Sequence, residues 1–186
     1  MDYVTLGWNV VGVVILAIAA LAAHSVALAG FGLDSLIEIL ASTVVVWQLT
    51  DTGGKRERTA MRVIGGAFVA LAIYIAAQAV YLLVTGGRPE SSPLGIAWTV
   101  VTCVAMLCLA YGKARTGAAL DNPVLKTEGR VTLVDGYLAA AVLVGLVLNA
   151  AFGWWWADPL AGFVIVVYGV REGLEALHHQ PAHAVT

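Results

Sequence analysis

Hydrophobic positions along this chain come in blocks rather than in stripes. Six stretches are almost wholly apolar, over residues 5–23, 26–49, 62–84, 94–111, 123–150 and 158–177. A helix that crosses the hydrocarbon of a bilayer needs about 20 such residues, so each block predicts a transmembrane helix. Polar punctuation falls between them. Asn122-Pro123 and Asp158-Pro159 read as helix starts, a capping side chain followed by proline in the first turn. Gly86-Gly87 reads as the end of the third helix. The blocks leave no room for a second folded unit. Residues 1–177 are expected to form one six-helix domain, and residues 178–186 a short tail. Residues 1–6 hold Asp2 and no basic residue, so the first block reads as a retained helix, not a leader.

Composition sharpens this into an all-α integral membrane protein. Of 186 residues, 60% are hydrophobic and 12% charged, against about 25% charged in soluble domains. Too little polar surface is left to coat a globule in water. Ten Lys and Arg against twelve Asp and Glu leave no basic stripe for phosphates, which argues against a nucleic-acid partner. Cys103 and Cys108 sit within one apolar block and form no disulfide framework. The basic residues are lopsided. Lys55, Arg56, Arg58, Arg62, Lys113, Arg115, Lys126, Arg130 and Arg171 fall at one face, and Arg88 alone at the other. Basic loops stay inside, so the expected topology has both termini cytoplasmic in a multi-pass protein of the plasma (inner) membrane. Trp154, Trp155 and Trp156 fall at the opposite face, where indoles favour the headgroup level.

Asp34, Glu38 and Asp135 stand where lipid should be, and Glu128 nearer a helix end. An acid at bilayer depth costs at least about 2.5 kcal/mol on insertion scales. Three of them without a basic partner at similar depth point to a protein-lined, functional site. Asp34 and Glu38 are four apart and share a helix face; Glu128 and Asp135 are seven apart and share another. Like charges so placed repel unless a cation or proton lies between them. Glu38 lies twelve residues from Thr50, and Asp135 twelve from Pro123. At 1.5 Å of rise per residue both are about 18 Å in from the same interface, level with each other. Carboxylates converging from two helices suit a divalent cation, whose binding displaces protons.

These residues carry a resemblance. The stretch from Ser25 to Glu38, with Gly-Phe-Gly-Leu-Asp34-Ser-Leu-Ile-Glu38, resembles the second helix of the cation diffusion facilitator superfamily. Gly7-Trp8-Asn9 is similar to the start of the family's first helix. Thr132 to Asp135, Gly145 and Ala157-Asp158-Pro159 are similar to its fifth and sixth. The resemblance covers the whole chain and implies a six-helix transporter, usually a homodimer. Such a protein moves a divalent metal out of the cytoplasm in exchange for protons by alternating access. It implies Asp34, Glu38 and Asp135 as ligands. The family's usual histidine would fall at position 131, where this chain has Val131, so Glu128 is taken as a fourth participant. An oxygen-rich site leaves the substrate open among zinc, manganese, cobalt, iron and cadmium. The family's common cytoplasmic domain has no counterpart after residue 177, so the chain resembles a compact branch without it.

Two other functions compete. A static metal-binding scaffold would use the same acids. An intramembrane aspartyl protease would pair Asp34 with Asp135, but Gly30-Phe-Gly32-Leu-Asp34 is one residue longer than that class's Gly-x-Gly-Asp pattern. Asn149 is expected to line a path outward, and His24 to sit at the interface. Cys103, Met106 and Cys108 are read as packing, and Gly12, Gly65 and Gly66 as points of close helix approach. His178, His179 and His183 are read as a loose tail.

Overall fold

A computed structural model describes residues 2–49, 55–121 and 123–178, with side chains for residues 7–41, 43, 59, 61–121 and 129–178. The described residues form six helices and no strand: α1 (Asp2–Ala23), α2 (Val26–Leu49), α3 (Lys55–Thr85), α4 (Pro93–Ala119), α5 (Pro123–Phe152) and α6 (Ala157–His178). By length and apolarity three segments are membrane spans: Met61–Thr85, Pro93–Ala119 and Gly129–Phe152. Gly7–Ala23 is a shorter apolar stretch. Large apolar side chains point outward all round, Leu21, Val84 and Val167 each at least 70% exposed. That is the surface of a protein solvated by acyl chains.

The most extensive pairings are α4 with α5 and α3 with α6. Helix α2 is central, packed on α1, α3, α5 and α6. Its buried positions, Ala27, Leu28, Phe31 and Ile37, meet Leu16, Ile75, Leu138, Val142 and Ile165 in one core. Two helices can cross this closely only where side chains vanish. At Gly65 an added Cβ would stand 2.8 Å from the carbonyl oxygen of Gly173, so α3 and α6 touch backbone to backbone. Gly66 meets nothing within 4 Å; the close approach expected of both glycines belongs to Gly65 alone.

Helix α3 stops as expected. Gly86 takes φ +69°, open to glycine without strain, and Gly87 N–H donates to the Leu82 carbonyl at 3.1 Å. Other ends differ from the sequence reading. Helix α4 runs eight residues beyond 111, to Ala119. The charges after Tyr111 mark where apolarity ends, not where helix ends, and Lys113 lies inside the helix, 4% exposed. Its start, unforeseen, is capped by Ser92, whose Oγ accepts from Gly95 N–H, with Pro93 in the first turn. Asn122 lies outside the described residues.

Asp158 also corrects the sequence reading. It does not cap its own helix, which begins at Ala157. Wholly buried, its carboxylate instead caps α2: Oδ1 accepts from Val26 N–H at 2.9 Å and Ala27 N–H at 3.4 Å, and Oδ2 from the Ser25 hydroxyl. The orphan amides and positive end of α2 thus find an anion supplied by α6. Asn149 is likewise spent locally rather than lining a path: its amide donates to the Pro89 carbonyl at 2.9 Å. Glu90 N–H donates to the Ala23 carbonyl at 2.8 Å. Together these bonds tie the 24–25, 86–92 and 153–156 connections into a clamp at one end of the bundle.

Replacing Asp158 by Ala leaves three donors unpaired, at a cost of about 3 kcal/mol. The melting temperature of the detergent-solubilised protein should fall by several degrees, and by less for Ser25→Ala. An unshifted melting temperature in Asp158→Ala would contradict the clamp. Gly65→Val should destabilise strongly and Gly66→Ala should not; equal effects would contradict the α3–α6 crossing.

Candidate metal-ion pocket

The acids of α2 and α5 face inward because their neighbours on the same faces are core. Asp34 is 3% exposed, one turn from Phe31; Asp135 is 9% exposed, beside Leu138 and Ala139. Both line one small cavity, together with Glu38. As the levelling of α2 and α5 expects, Glu38 and Asp135 come to the same cavity, within electrostatic range of each other. Asp34 lies within electrostatic range of both. Among the described residues, however, no three His, Cys, Asp or Glu side chains stand close enough to hold a metal ion as they are arranged. The acids converge on one cavity without forming a closed cage.

The rest of the wall comes from α1 and α4. Asn9 donates its side-chain N–H to Glu38 Oε2 at 2.6 Å. Trp8 stacks on Trp98, ring centres 5.0 Å apart, and its indole N–H donates to Thr102 Oγ1 at 3.2 Å. A Cβ added at Gly12 would meet the Trp98 ring at van der Waals distance, 3.5 Å. Leu16, Phe31, Ser35 and Met106 complete the lining. The free space is about 10 Å³, room for the centre of roughly one water-sized sphere. An ion with a full hydration shell does not fit; one stripped of most of its water does.

Among the described residues, two oxygens in this neighbourhood find no hydrogen-bond partner: Oδ1 of Asp34 and Oδ1 of Asp135, both buried. Buried carboxyl oxygens are normally satisfied, because their desolvation is otherwise uncompensated. These two are spare acceptors, in the right place for a cation or a proton donor.

Other expectations sort as follows. The Glu128 side chain lies outside the described residues, as do His179 and His183. Val131 is 51% exposed, and Thr132, 2% exposed, takes the inward position one turn before Asp135. The acids also have a basic neighbour the sequence reading did not count: Lys113 acts on Asp135 and donates to Thr132 Oγ1 at 3.2 Å. A signal was present, since Lys113 is in phase with the buried stripe Thr99, Thr102, Met106, Ala110 and Gly117 of α4. Tyr168 and Glu172, one turn apart on α6, were also missed; both lie within electrostatic range of Asp34 and Asp135. His24 and Gln78 line a separate cleft of about 330 Å³, which shares no residue with the acid cavity. Cys108 is exposed and Cys103 half-buried, while Met106 reaches the cavity wall.

The chain is similar to several known proteins. The chain is 35% identical to the cation-efflux pump FieF of Shewanella oneidensis over 109 residues, 55% of this chain and 36% of that protein. It is 29% identical to transmembrane protein 163 of Xenopus laevis over 172 residues, 84% of this chain and 60% of the relative. It is 25% identical to the uncharacterized transporter sll1263 of Synechocystis over 174 residues, 84% of this chain and 56% of the relative. The chain thus spans 36% to 60% of the length of these curated relatives. The family described as the cation efflux transmembrane domain matches residues 3–178. A match running over nearly the whole described chain makes this protein a member of the cation efflux family, the cation diffusion facilitators.

Proposed function

We propose that this protein exports a divalent transition-metal ion, zinc or a similar cation, from the cytoplasm in exchange for protons by alternating access. Asp34, Glu38 and Asp135 are its ligands and proton acceptors, and Glu128 is a fourth participant. In this reading all six helices span the plasma membrane, both termini face the cytoplasm and the working unit is a homodimer. Membership of a transporter family speaks against the protease reading.

The observation that carries the proposal is the pair of spare oxygens, Asp34 Oδ1 and Asp135 Oδ1, buried without a donor among the described residues. A fold keeps such a cost where the group has work to do. The second support is the single cavity that Asp34, Glu38 and Asp135 all line. Ionised carboxylates so gathered repel unless a proton or a cation lies among them. In this reading an arriving divalent ion takes the place of a proton, and a returning proton helps to expel the ion. The small cavity adds a requirement for dehydration, which carboxylate oxygens offset. Oxygen-rich ligation, with no nitrogen ligand among these acids, favours a broader range of metals than a histidine site.

Asp34→Ala and Asp135→Ala should each abolish metal-driven proton movement in proteoliposomes, across zinc, manganese, cobalt, iron and cadmium. Flux retained in both variants would contradict the proposal. Counterflow of one metal against another separates a carrier from a static scaffold: a carrier exchanges the ions across the membrane, and a scaffold does not.

A further inference from the structure

Lys113 is the charge that the reading above does not use. It lies in the helical part of α4, 4% exposed, and its ammonium donates to Thr132 Oγ1 at 3.2 Å. Thr132 is itself 2% exposed. The tether spans the most extensive helix pairing of the bundle, α4 on α5. At Gly129 of α5 an added Cβ would stand 3.2 Å from Ala114 N and 3.4 Å from Ala110 O, so there is little room for the lysine stem to swing away. Thr132 precedes Asp135 by three residues, about 4.5 Å of helix rise. The ammonium is therefore held roughly one turn from the pocket, on the side of the α4–α5 connection, and its charge reaches Asp135. From α6, Glu172 acts on Asp135 with the opposite sign.

A buried lysine is costly in a membrane segment, and this one is held about one helical turn from Asp135. What the charge does depends on what the pocket holds. With no metal present it compensates the Asp135 carboxyl. Once a doubly charged ion arrives, the ammonium is a like charge at close range and repels it. A carrier needs this balance, because a site that binds too tightly does not let go.

We propose that Lys113 is a fixed internal cation that loosens the carboxylate pocket's hold on a divalent ion and so speeds its release. It is a positioning residue that acts through Asp135, not a ligand. The inference rests on the transport reading above.

The test uses Zn²⁺ as probe, with the full chain purified in detergent for calorimetric binding and reconstituted in vesicles for flux. Lys113→Met removes the charge and keeps the length. Lys113→Gln removes the charge and keeps a donor for Thr132, so it serves where Met fails to fold. Both should bind Zn²⁺ about tenfold tighter, the order expected for removing one like charge at this range, with a lower half-saturating concentration and a lower maximal flux. Lys113→Arg, which keeps the charge, should bind within about twofold of the parent on the same argument. Unchanged or weaker Zn²⁺ binding in a folded neutral variant would overturn the proposal. So would a result in which only Lys113→Arg folds, because the charge would then be structural. A parent protein that neither binds nor moves Zn²⁺ would overturn the transport reading as well, whereas a parent that does both while neutral variants bind no tighter overturns this inference alone.

Discussion

An oxygen atom of a carboxyl group, taken out of water and given no donor, is among the costliest things a fold can keep. Two of them, on Asp34 and Asp135, border the acid pocket. The surrounding architecture can be understood as what it takes to hold them there. Helix α2 runs through the middle of the bundle, so that its acids meet protein rather than lipid. Helix α5 brings Asp135 to the same cavity as Glu38. The indoles of Trp8 and Trp98 close the seam between α1 and α4. The cavity that remains is too small for a hydrated ion.

The two ends of the bundle manage charge differently. At the end where Asp158 caps α2, the polar groups of the clamp are paired at short range: carboxylate to amide, asparagine to carbonyl, loop amide to helix end. That end is built as a clamp. Towards the other end, charges are placed at a distance from one another. Lys113 is tethered to Thr132 and acts on Asp135 through space, and Glu172 opposes it from α6. Bonds at short range hold structure, whereas charge that reaches the pocket from about a turn away bears on what it binds. The division assigns rigidity to one end of the pocket and tuning to the other.

Much of this could be read from residue order. The six apolar blocks correspond to six helices, and three segments are long and apolar enough to cross a membrane, where a helix satisfies its own backbone. Counting helical rise from Thr50 and Pro123 placed Glu38 and Asp135 at one level, and rise per residue is nearly invariant. What escaped were partners supplied by distant helices. Asp158 looked like a cap for its own helix, and nothing local says that it caps another. Asn149 shared a face with Asp135, yet a loop carbonyl reached it first. Lys113 looked like loop charge because hydropathy ends at Tyr111, but helix propensity and the small-residue stripe carry α4 on for two more turns. Contacts between residues tens of positions apart depend on how helices pack, and block hydropathy carries no record of that.

The central claim is that carboxyls from α2 and α5 hold a divalent ion in place of a proton. Its most direct measurement is the number of protons released when Zn²⁺ binds, obtained calorimetrically at one pH in buffers of different ionisation enthalpy. The account predicts a net release of about one proton or more per ion, lost together with binding when Asp135 is replaced by Asn. Binding that releases no proton, or release that survives that replacement unchanged, would contradict it.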